Sequence, residues 1–145
     1  MSDLSIGSAP NVIQAVPFFV VADIHASLHF YVDILGFTIT KSWAPQGKLR
    51  WCWIEIGTAA LMLQEHGTSR QAASPANAGE GISVCFQCND ALAIYHQARE
   101  RGVESRRPFV GNSMWVVAFT DPDGYKIDFE SLTDVPEETE YTPSA

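Results

Sequence analysis

The chain is poor in several features, and each shortage excludes something. Nine Lys and Arg stand against 17 Asp and Glu, leaving a formal net charge of −8. Such a surface repels phosphates, so a nucleic-acid partner is not expected. No apolar run approaches the ~18 residues of a membrane-spanning helix. Cysteine is scarce and odd in number, at three, which argues against a disulfide framework and for a reducing compartment. Cys85 and Cys88 form a C-x-x-C, but inside an apolar strand-like run where residues three apart face opposite ways. With no second C-x-x-C to complete a zinc site, they read as core residues. No G-x-G-x-x-G, P-loop, Ser-His-Asp or Cys-His pairing is legible. The opening Met1-Ser2-Asp3-Leu4 is acidic and lacks the basic and apolar regions of a secretory leader, so a soluble cytoplasmic protein is expected.

What is present is 46% hydrophobic residues in 145, enough for one domain with a real core. Residues 1–10 are small and polar, and read as a flexible arm. Ile13 to Val21 reads as a strand, and Asp23 as the N-cap of a helix whose face is Ile24, Leu28, Tyr31, Val32 and Leu35. Gly36 ends it. Phe37–Trp43, Leu49–Ile56 and Ala60–Gln64 read as strands. Residues 67–80, small and polar, read as a linker. The order then repeats: strand Ile82–Cys88, a helix capped by Asn89 or Asp90 with the face Ala91, Ile94, Tyr95 and Ala98, Gly102 as its stop, then strands Val103–Phe109, Met114–Thr120 and Lys126–Glu130. Asp121-Pro122-Asp123-Gly124 is a tight turn. Residues 132–145 read as a loose acidic tail.

The halves register on one spacing. Asp23 maps to Asn89, Gly36 to Gly102 and Met62 to Asp128, each with an offset of 66. The expected fold is therefore α+β: tandem βαβββ repeats (half one 11–66, half two 81–131) building a curved mixed sheet with a central cleft and helices outside.

The run from Val20 to Phe37, with Asp23, Ser27, Phe30-Tyr31 and Leu35-Gly36-Phe37, resembles the first-half signature of the glyoxalase/bleomycin-resistance/dioxygenase superfamily, also called vicinal oxygen chelate. Asp121-Pro122-Asp123-Gly124-Tyr125-Lys126-Ile127-Asp128 resembles its second-half signature. The resemblance covers about residues 11 to 131 and speaks for fold more than chemistry. It implies enzymes that hold a divalent metal with His, Gln or Glu from the first and last strands of each half. Those positions fall here on Val16, Met62, Ser83 and Asp128. Only Asp128 is a competent ligand, whereas such an ion needs about three O or N donors. Gln14, on the face of Val16, and His66, beyond Met62, are the nearest substitutes. No metal or other cofactor is expected; one divalent ion on Asp128 is the alternative.

Other residues carry weaker signals. His25, His29 and His96 fall on helices that the resemblance places outside the sheet, and His66 on a rim. Asp128 and Glu130 alternate on one strand and share a face; they are read as a base, a counter-charge for a cation, or partners of Arg106, Arg107 or Lys126. Trp43, Trp51, Trp53 and Trp115 fall in strands or at their ends, and aromatic walls suit planar and cationic ligands. The expected ligand-binding set is Phe18, Trp51, Trp53, Met62, Ser83, Trp115, Asp128 and Glu130. The resulting expectation is a metal-independent homodimer that binds an aromatic or cationic compound in its cleft, as the resemblance to bleomycin-resistance members implies. A metal-dependent lyase, isomerase or extradiol-type dioxygenase, or a non-catalytic regulatory or structural homodimer, is the alternative.

Overall fold

A computed structural model describes residues 10–66 and 77–143; most of the expected linker thus lies outside the described residues. Half one contains β1 (Phe18–Val21), α1 (Ile24–Leu28) running on into a π-helical stretch (His29–Ile34), β2 (Thr38–Trp43), a 3-10 turn (Pro45–Gly47), β3 (Trp51–Ile56) and β4 (Ala59–Glu65). Half two contains β5 (Ser83–Gln87), α2 (Ala91–Glu100), β6 (Phe109–Gly111), β7 (Met114–Thr120) and β8 (Lys126–Leu132). Each half folds into a four-stranded mixed sheet, ordered β1-β4-β3-β2 and β5-β8-β7-β6. In each, the first strand runs parallel to the last and the other pairs are antiparallel. This is the expected α+β architecture of tandem βαβββ units. No helix among the described residues is long and apolar enough to cross a membrane.

Local chemistry sets the boundaries. Asp23 caps α1 by accepting from the His25 and Ala26 amides, and Asp90 caps α2 by accepting from Ala93. The second cap is therefore Asp90 and not Asn89, which changes the spacing: Asp23 to Gly36 is thirteen positions, Asp90 to Gly102 twelve. The π-helical stretch in half one takes up the additional residue. Gly36 and Gly102 both sit at positive φ, +90° and +91°, as helix-ending residues.

Two strand starts and the course of the tail differ most from expectation. β1 begins at Phe18, not Ile13, because Pro17 has no amide for the ladder; its carbonyl accepts from Met62. Val12 and Ile13 stay exposed. β6 begins only at Phe109, since Pro108 and the polar run before it do not pair. Residues 133–141, expected to be loose, run back along β6, with Val110 donating to Thr139, Glu138 to Val110 and Tyr141 to Pro108.

Alternation sends Phe19 and Val21 of β1, Leu61 and Leu63 of β4, Phe86 of β5, and Ile127 and Phe129 of β8 inward. They join Tyr31, Phe37, Tyr95 and Ala98 in a single core that spans both halves. Polar links join the halves as well. Tyr31 Oη donates to Asp121 Oδ2 at 2.8 Å, Ala22 N to Asp123 Oδ1 at 2.9 Å, and Tyr125 Oη to the Val20 carbonyl at 3.0 Å. The Phe19 and Tyr125 rings stack at 4.0 Å. Both carboxylates of the Asp-Pro-Asp-Gly turn thus point at half one.

Candidate functional site

Each sheet has a second face, turned away from the core. On the half-one face, Phe18 lies in register with Met62, and Met62 with Trp53. Trp51 is opposite Gln64 on one side and Trp43 on the other. By period two these side chains share one surface. It is aromatic and partly open: Phe18 is 51% and Trp43 56% exposed. Lys41 Nζ stands 4.4 Å from the centre of the Trp53 ring, and Trp53 Nε1 donates to Glu55 Oε2 at 2.7 Å. Cation–π contact and hydrogen bond together hold the indole in a fixed plane.

The half-two face is polar. Cys85 is in register with Asp128, Gln87 with Glu130, and Ser83 with Lys126. A cavity of about 520 Å³ opens on it, lined by Ser83, Arg106, Phe109, Val116, Lys126 and Asp128 among others. Gln87 Nε2 donates to Glu130 Oε1, and Cys85 Sγ lies 4.0 Å from Asp128 Oδ2. Burial and the Glu130 charge push the Asp128 carboxyl above the ordinary carboxylate range, against the pull of Arg106 and Lys126. Burial, then the Glu130 and Asp128 charges, push the Cys85 thiol up. The face therefore sets the Asp128 and Glu130 carboxylates close together, with Arg106 and Lys126 beside them, in partly dry surroundings.

Of the eight residues expected to bind ligand, the structure gathers Phe18, Trp51, Trp53 and Met62 on one open face, and Ser83, Asp128 and Glu130 on the other. Trp115 joins neither. Its partner in register is the buried Ser131, and its ring lies 5.7 Å from that of Tyr141, on the helix side of the sheet. The helical histidines are also elsewhere: His29 Nδ1 is 3.0 Å from Asp33 Oδ2, and His96 Nε2 is 2.8 Å from Tyr141 Oη. His66 continues the backbone pairing of β4 with Val21. Cys85, Gln87 and Arg106 were not among the expected site residues. Period-two alternation from Ser83 is the available signal for the first two; Arg106, expected only as a candidate partner of the two carboxylates, lies in an irregular segment with no periodicity to place it.

The donor set bears on a metal. Cys85 Sγ and carboxylate oxygens of Asp128 and Glu130 lie within 4.8 Å of one another. Half one offers Phe18 and Met62, which bring no O or N donor, at the equivalent strand positions; Gln14 and Val16 line a hollow that also includes Cys85. Gln87 donates to one Glu130 oxygen, and burial with the Glu130 and Asp128 charges disfavours the Cys85 thiolate. A hard divalent ion shared between the halves does not fit this set.

The family model for the glyoxalase/bleomycin resistance protein/dioxygenase superfamily matches residues 13–129. The chain belongs to this superfamily. Among solved structures of similar fold, the chain is 22% identical to TnmS3, an antibiotic binding protein from Streptomyces sp. CB03234, over 83% of this chain and 98% of that one, with a TM-score of 0.63. It is 22% identical to a bleomycin resistance determinant encoded on the transposon Tn5, over 86% and 100%, TM-score 0.65. It is also 22% identical to a bleomycin-binding protein solved with bleomycin, over 83% and 98%, TM-score 0.64. No curated protein matches the chain. At this identity the structural likeness establishes the superfamily fold, not the ligand.

Proposed function

We propose that the protein is a metal-independent binder of a planar aromatic or cationic small molecule, of the bleomycin-resistance type. One observation carries this reading: an open aromatic face bearing Phe18, Trp51, Trp53 and Met62, with no O or N metal donor among those four, beside a polar face bearing Asp128 and Glu130. Aromatic planes stack flat ligands, and the carboxylates balance a positive group. Superfamily neighbours named as bleomycin- and antibiotic-binding proteins support it. We further propose a homodimer, in which a second copy lies over these faces and turns each into a cleft. Phe18 and Trp43, more than half exposed, are the side chains such a partner would cover.

The test is titration with bleomycin and with a panel of planar cations, following tryptophan emission, alongside light scattering for the dimer. Saturable quenching is expected. Failure to quench across the panel overturns the reading. A metal-dependent enzyme has one observation in its favour, the convergence of Cys85, Asp128 and Glu130. Stoichiometric Zn, Ni, Fe or Mn in protein purified without chelators would put that reading first.

A further inference from the structure

We propose that residues 133–141 are a strap that positions the wall of the half-two cavity, and that Glu137 is its positioning residue. The strap lies beyond residue 129, where the superfamily match ends, so the family signatures do not account for it.

The cavity wall continues into β6. This strand is three residues long and lies at the edge of its sheet, with β7 as its only strand partner. So short an edge hairpin is marginal by itself. Its turn, Asn112-Ser113, places two non-glycine residues at positive φ, 52° and 63°, a conformation with a steric cost. Glu137 meets both needs. Its Oε1 accepts from Asn112 N at 2.9 Å and its Oε2 from Ser113 N at 2.7 Å, so one carboxylate holds both turn amides by charge-assisted bonds. The backbone of residues 138–141 then fills the free edge of β6, and Glu140 bridges Phe109. Tyr141 anchors the far end, with its ring against Tyr95 and Trp115 and its hydroxyl at His96. Arg107 Nη1 lies 3.8 Å from Glu140 Oε1.

The segment pinned in this way carries the cavity wall. Phe109 and Arg106 both line the cavity, and the Arg106 guanidinium lies 5.7 Å from the centre of the Phe109 ring. The strap reaches this wall through its pairing with Phe109 and Val110, and so fixes where the wall stands. That the wall faces a ligand rests on the function proposed above.

The test compares amide hydrogen exchange in the full chain, Glu137→Ala, Glu137→Gln and a chain ending after Leu132, and measures bleomycin affinity in each. Glu137→Ala removes two solvent-exposed charge-assisted hydrogen bonds and is expected to speed exchange at residues 109–117 by about tenfold or more. β3 and β4 should change less than about twofold. Glu137→Gln, which keeps one acceptor, should fall between. If the full chain binds bleomycin, affinity should drop in the same order. Unchanged exchange at residues 109–117 after strap removal overturns the proposal, as does an equal rise in every strand, which would mark a purely global role. Faster exchange at the wall with unaltered bleomycin affinity also overturns it. If the full chain binds no probe while exchange responds as expected, the positioning role stands and the small-molecule function falls.

Discussion

Replacing Tyr31 with Phe tests the junction between the halves. The phenol is fully buried and its hydroxyl donates to Asp121 Oδ2 at 2.8 Å; Asp121 itself is 4% exposed. The other oxygen, Oδ1, accepts from the Asp123 and Tyr125 amides. Tyr31→Phe therefore removes one charge-assisted bond but leaves the carboxylate two donors. A buried bond to a charged group contributes about 1.5–3 kcal/mol; because Oδ1 remains satisfied, a loss of about 2 kcal/mol is expected. For a chain of this size that corresponds to a drop in Tm of roughly 6–8 °C. Acidity gives a sharper criterion. Burial holds the Asp121 carboxyl above its ordinary range, while the Tyr31 bond opposes that shift. In the unfolded chain the group ionises in the ordinary carboxylate range. Between the two values the folded state binds more protons, so this group's contribution to stability declines as pH rises through the interval. Losing the phenol raises the folded value further, so the mutant penalty is largest at neutral pH and shrinks toward about pH 4. Urea unfolding at both pH values, repeated in the Asp121→Asn background, measures this. A penalty under about 0.5 kcal/mol, equal at both pH values, or undiminished in the Asp121→Asn background refutes the reasoning.

Further expectations concern the open faces and one turn. Although exposed, Cys85 should be alkylated by iodoacetamide more slowly than a free thiol, because burial and the Glu130 and Asp128 charges disfavour its thiolate. Glu130→Gln should speed the reaction, which mass spectrometry of timed samples reads; no acceleration would remove the electrostatic account. Cys52, buried and pushed up to about 11, should remain unmodified in the native protein. Asp128→Asn should leave thermal stability unchanged or raised, since it removes a carboxylate disfavoured by burial and by Glu130, while weakening a cationic ligand by roughly tenfold in a fluorescence titration. Gly79→Ala should destabilise by about 2 kcal/mol or more in urea melts. Its φ is +78° and a Cβ there would stand 2.7 Å from the Gly124 carbonyl oxygen.

Element order was legible because punctuation is local. Asp23, Gly36, Gly102 and the Asp-Pro-Asp-Gly turn act within a few residues of themselves, so their chemistry shows in the string. Those features whose partners lie far along the chain were not legible. Nothing near Glu137 announces that its carboxylate will cap a turn 24 residues upstream. Trp115 illustrates a different limit: a tryptophan in a strand suits either face, and the pairing of Trp115 with Ser131 decides which. On the half-one sheet Trp51 and Trp53 were correctly placed together, because period two is all that the reading requires. The additional residue of the π-helical stretch escaped notice because the two caps, Asn89 and Asp90, are adjacent and equally able.

The inter-half bonds of Asp121 and Asp123 have a mechanical consequence. A jaw that scissored open about the middle of the molecule would have to break the Tyr31 and Ala22 contacts and unstack Phe19 from Tyr125 at every cycle. The central joint is thus riveted, and under the function proposed above any adaptation to guests of different girth would fall to parts of each sheet away from it.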